Sequence, residues 1–159
     1  MYKYVKYAHL LGLCMFMASI AIHIMVGFVP GGREVASVIL IGRQLIDVST
    51  WALTVPGLAL LTISGAFMVV KTSRGIGQRK WLIAHLVLAS LAIINAGAIL
   101  IPMGHEVFNL ARNLPANSDL MEAYQPIKLK ESIMGGVNLL FALTAIFMAT
   151  IKPKFQRNE

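Results

Sequence analysis

Four histidines, His9, His23, His85 and His105, are the residues whose chemistry stands out, because three of them fall inside long apolar runs. An ionisable side chain in such a run is costly in lipid and turns toward the interior of a helix bundle. His9 and His23 are 14 residues apart. That separation is about 21 Å of helix rise, and 14 steps of 100° return the second ring to within about 40° of the first, so one helix face presents both. His85 opens a later apolar run at a depth similar to that of His9. Two imidazoles from facing helices at one depth can be the axial ligands of a b-type haem, which lies in an apolar slot between them. Gly12, one turn beyond His9, is expected to leave room for the flat ring. His23 and His105 form a second depth-matched pair at the opposite end, suited to a second haem. That pair needs a bend, because Pro102 and Gly104 intervene and a straight helix sets His105 about 160° from the face of His85. The expected cofactor is therefore haem b, in one copy or two, with iron on His9 and His85 and a second iron or copper on His23 and His105. Copper is the competing metal, since Met103 and Met25 add soft thioether ligands beside His23 and His105. The plainer alternative for each histidine is a hydrogen bond that ties one helix to the next.

The elements that must position these rings follow from composition. The 159 residues are 57% hydrophobic and 13% charged, against about 45–50% apolar and about 25% charged in an ordinary soluble domain. Lipid is the solvent that such a chain fits. The spacing predicts four spans at about 8–29, 49–70, 81–101 and 133–151, each long enough to cross about 30 Å of hydrocarbon as a helix. Pro30-Gly31-Gly32, the turn at 71–77, Pro102 and Pro153 are read as their stops, and Pro56 as a kink in the second. Arg33 to Val48 reads as an interfacial helix and 102–132 as a long outer loop, with a short helix over Glu106 to Asn113. The fold class is all-α: one domain over 1–159, a four-transmembrane-helix up-and-down bundle.

Charge sets the orientation. Nine of the 14 Lys and Arg residues, from Lys3 and Lys6 through Lys71, Arg74, Arg79 and Lys80 to Lys152, Lys154 and Arg157, lie on one side. Arg33, Arg43, Arg112, Lys128 and Lys130 lie on the other. Both termini are therefore expected on the cytoplasmic side. The net charge of +7 sits beside apolar spans, where anionic headgroups account for it and nucleic acid does not. The single cysteine, Cys14, excludes a disulfide within the chain and a cysteine zinc site. No hydrolase triad, HExxH, P-loop or GxGxxG is present.

The remaining polar residues have structural readings. Asn95 and Asn138 either join helices or hold a quinone carbonyl. Gly57, Gly65, Thr54, Thr62 and Ser64 make a small-residue face for close packing, as Gly135 and Gly136 do in the fourth span. Trp51 and Trp81 read as interfacial anchors at span ends. Glu106, Arg112, Asp119, Glu122 and Glu131 read as solvated loop charges.

Lys6 to Gly12 (KYAHLLG), Val55-Pro56-Gly57-Leu58 with Ser64-Gly65, Trp81-Leu82 and Ile151-Lys152-Pro153 together resemble small bacterial four-helix membrane proteins. These are the proteins related to the copper-resistance D domain and to the haem-containing protoporphyrinogen IX oxidase. The resemblance implies a bacterial cytoplasmic (inner) membrane location and a haem ligand at His9. Pro30-Gly31-Gly32-Arg33 stands where the oxidase's further histidine and arginine motif falls. The function expected is electron transfer by a b-type haem, linked to quinol or a redox subunit. The alternatives are a haem-dependent oxidase of a small reductant such as protoporphyrinogen, a copper-handling protein, or a structural accessory subunit. The expected partners are the bilayer, a quinone, a redox subunit or a second copy of the chain.

Overall fold

A computed structural model describes residues 2–30, 35–72, 79–114 and 120–153. Every element among them is helical: α1 (Tyr2–Val26), α2 (Ala36–Ser49), α3 (Val55–Thr72), α4 (Lys80–Ile94), α5 (Ile101–Asn113) and α6 (Leu120–Ile151). A π turn, Thr50–Thr54, joins α2 to α3, and another, Asn95–Leu100, joins α4 to α5. The chain thus has four long rods, each long and apolar enough to cross a membrane. Large apolar side chains such as Val70 (74% exposed), Ile63 (71%) and Ile41 (66%) stand on their outer faces. Water would penalise such a surface and hydrocarbon would not.

The rods outrun the expected spans. Val35 to Val48 is no separate interfacial helix, because α2 runs through the first π turn into α3 as one rod of 36 residues, Ala36–Lys71, about 55 Å long. Pro102 does not stop the third span, which continues through α5 to Asn113, and the fourth begins at Leu120. The long outer loop is therefore mostly helix, and Glu106 to Asn113 is the end of α5. The first helix stops at Val26, before Pro30, in turns whose amides bond back to Ile24, Met25 and Val26. Gly31, Gly32 and Arg33 lie outside the described residues, as do Arg74 and most of the 71–77 turn, Asp119, Lys154 and Arg157. At the far terminus α6 ends as expected, with Lys152 left-handed at φ 50 ahead of Pro153.

Both π turns have the same cause. Pro56 and Pro102 each lack the amide that would bond the carbonyl four residues back. Just before each proline the ladder widens instead, so that Val55 donates to the Thr50 carbonyl and Ile101 to that of Ala96, five residues back. The expected kink at Pro56 is resolved this way.

The helices pack in two antiparallel pairs, α1 against α3 and α4 against α6. In the first pair His9–Ser64, Ser19–Thr54 and His23–Thr50 are hydrogen-bonded rungs whose residue numbers share one sum, which fixes the register. Where the pair crosses, a Cβ on Gly12 would lie 2.8 Å from the Gly57 carbonyl oxygen. By that register α1 ends level with Asp47, and α2 runs on for about ten residues, roughly 15 Å. There α2, α5 and α6 close around Ile39, Val107, Ala111, Leu114 and Tyr124. The molecule is a four-helix bundle at the end holding its termini and a three-helix bundle at the far end.

Candidate functional site

At the terminal end His9 stands on α1 and His85 on α4, one in each helix pair. Each ring is tied to the partner within its own helix pair. Ser64 gives its hydrogen to the Leu60 carbonyl, so its Oγ accepts from His9 Nδ1, 3.0 Å away. His85 Nδ1 donates to the Ala145 carbonyl across α4 and α6 at 2.9 Å. A carbonyl can only accept. Both rings therefore carry the proton on Nδ1 and keep the Nε2 lone pair for a metal, the arrangement that outer hydrogen bonds impose on ligating histidines. Gly12 has a different place from the one expected: the space beside it is filled by Gly57 and Leu60 of α3. It serves the helix crossing, and no ring fits there. Gly65 does adjoin the site, since a Cβ on it would touch His9 Cε1 at 3.5 Å.

At the far end, where α1 stops and the other rods continue, lies a cavity of about 850 Å³. His23 and His105 both border it, as do Thr50, Thr54, Ala96 and Leu100 of the two π turns. The second π turn matters here. It absorbs one residue and swings everything beyond it by about 100°, which moves His105 from about 160° to about 100° from the face of His85. His23 Nε2 faces Thr50 Oγ1 at 3.4 Å, and Thr50 donates to the Ile46 carbonyl. His23 therefore donates from Nε2. Met103 packs against the Ile39 core cluster and Met25 is 70% exposed, so neither joins the two histidines at the cavity wall. Among the described residues no three His, Cys, Asp or Glu side chains converge as a metal site.

The cavity wall also holds residues that the sequence reading placed elsewhere. Glu131 is no solvated loop charge: its carboxylate meets Arg43 Nη1 at 2.6 Å, and the two side chains are only 15% and 6% exposed. Arg43 Nε also donates to the buried Tyr124 hydroxyl at 3.1 Å. The signal was present in Arg43 itself, a cation between Ile39 and Ile46 that needs a buried partner. Gly135 and Gly136 do not pack against a helix, because a Cβ on either would meet nothing within 4 Å. They widen the cavity. Trp51 likewise lies mid-rod on the cavity wall, whereas Trp81 stands at a helix start with Lys152 Nζ 5.6 Å from its ring.

Both asparagines are buried, and each has an Oδ1 without a hydrogen-bond partner. Asn95 joins helices, donating to the Met134 carbonyl at 3.0 Å. Asn138 borders the cavity, is 3% exposed, and has a buried Oδ1 with no hydrogen-bond partner. No protein-family model matches the chain, and no curated protein or solved structure matches it.

Proposed function

We propose that the chain is a b-type haem protein of a bacterial cytoplasmic membrane, both termini inside, that passes electrons between a membrane reductant such as a quinol and a redox partner. One observation carries this reading: two imidazoles at the terminal end, one from each helix pair, are both oriented by Nδ1–H bonds that leave Nε2 for iron. The donor set fits haem b, with His9 and His85 as the axial pair. Bound haem supplies one-electron chemistry. The chain holds each ring in one tautomer through Ser64 and the Ala145 carbonyl. The likeness to the haem oxidase and copper-resistance D families agrees with the place of His9, and the excess of Lys and Arg at the terminal end agrees with the orientation.

The test is the absorbance spectrum of detergent-purified protein, oxidised and dithionite-reduced, with haem counted per chain. A b-type spectrum is expected that is abolished in His9→Ala and in His85→Ala while membrane insertion persists. Ser64→Ala, which removes only the bond that orients His9, is expected to weaken haem retention by about 10- to 100-fold. An unchanged spectrum in both histidine variants, or no haem after expression with ample supply, overturns the reading.

A further inference from the structure

The far-end cavity has a use that the haem reading leaves unassigned. Its volume, about 850 Å³, lies within the range of small-molecule sites, about 300–1,000 Å³. Most of its wall is apolar, and Ile24, Leu45 and Trp51 on its border are also exposed on the outer surface of the bundle. Its mouth therefore faces the bilayer. Inside, Asn138 borders the space and its buried Oδ1 has no hydrogen-bond partner, and His23 borders the space as well. An unpaired buried carbonyl is unfavourable by about 1–3 kcal/mol; Asn95 Oδ1 is a second one, but only Asn138 stands on the cavity wall, where a bound donor satisfies it.

The wall also indicates what the ligand is not. Arg43 is committed to Glu131 and Tyr124, and Lys128 has its own partner. A phosphate or carboxylate headgroup gains little from either. What fits is a neutral molecule with two hydroxyl donors, a flat body and an apolar tail that reaches lipid.

We propose that this cavity binds a quinol, one ring hydroxyl donating to Asn138 Oδ1 and the other directed to His23, the tail leaving past Ile24, Leu45 and Trp51. The site locates the reductant of the haem reading and rests on that reading for its purpose, but binding does not require haem. Asn138 also offers an amide donor to the carbonyl of the oxidised form, so the site accepts both members of the couple.

The test is calorimetric titration of anaerobic decylubiquinol into the full chain in nanodiscs. One saturable site per chain is expected. Asn138→Leu, which removes the orphan acceptor, and Gly135→Leu, which fills the cavity and leaves every polar group in place, are each expected to weaken binding at least tenfold, with helicity by circular dichroism retained. Decanol, with a matching tail and no ring diol, is expected to bind at least tenfold more weakly. Equal affinity in the wild type and both variants overturns the proposal, as does decanol binding as well as the quinol, which marks a general hydroxyl-lipid site. Two haems per chain also overturn it, because the second fills the cavity. The His9→Ala/His85→Ala protein is expected to bind decylubiquinol normally; binding there with no haem in the wild type sinks the haem reading alone.

Discussion

The two ends of this molecule hold the same pair of side chains in opposite ways. At the terminal end His9 and His85 sit in a bundle whose first pair of helices crosses glycine on glycine, and each ring is fastened through Nδ1 to its neighbour helix. At the far end His23 and His105 border open space, His23 faces Thr50 at 3.4 Å, and the strong polar bonds belong to Arg43, Glu131 and Tyr124. Depth-matched histidines are therefore not equivalent sites. Where the helices close, each ring is tied through Nδ1 to the partner helix of its own pair. Where one helix stops short, the same residue type becomes part of a wall, and a buried ion pair takes over the task of holding the helices together.

That contrast can be broken most forcefully at the ion pair. Arg43→Ala leaves the Glu131 carboxylate buried and uncompensated, which is expected to destabilise the protein by about 3–5 kcal/mol. Denaturant unfolding in detergent reads the loss, and the joint replacement Arg43→Met with Glu131→Leu should recover most of it. The absorbance due to His9 and His85 should stay unchanged in whatever fraction remains folded; a spectrum lost at full folding would show that the ends are one coupled site. A smaller effect separates the two kinds of glycine. Gly12→Ala forces a methyl against the Gly57 carbonyl and should destabilise by about 1–3 kcal/mol, whereas Gly135→Ala enters open space and should stabilise by up to about 1 kcal/mol through helix propensity. Equal changes in thermal unfolding would dissolve the distinction between a packed end and an open one. The smallest energetic effect, under about 1 kcal/mol, is expected for Pro102→Ala, which restores an amide for the Ala98 carbonyl and lets the π turn relax to α. Its geometric effect is larger. Spin labels at His23→Cys and His105→Cys, in a Cys14→Ala background, should move apart as residue 105 swings by about 100°. An unchanged label distance would mean that the proline does not set the turn.

How much of this was legible in the residues depends on whether the signal was local. The four apolar rods, the shared face of His9 and His23, and the small-residue contact with α3 follow from period and hydropathy, and the structure carries them. The helix ends were misread because proline was taken as a stop. Inside a long apolar helix a π turn absorbs the missing amide, so Pro102 and Pro56 shape the rods without ending them. Glu131, Gly135 and Gly136 were misread for another reason: their meaning is set by what stands opposite. Nothing next to Glu131 in the chain announces Arg43, and a glycine beside a void has the same letter as a glycine beside a helix. The cavity itself arises from a difference in length between α1 and the rod beside it, a property of no single residue.

Arg43 and Glu131 are 88 residues apart, and that separation gives assembly an order. The rungs between α1 and the α2–α3 rod need only the first half of the chain, so this hairpin can form while synthesis continues. Arg43 must wait. Until α6 has been made its charge is kept in water or among headgroups, and the α2 end of the second rod is held outside the hydrocarbon. The last helix to arrive is then the one that seals the far end, and a chain truncated before Glu131 would enter the membrane with its first hairpin complete and its far end unlatched.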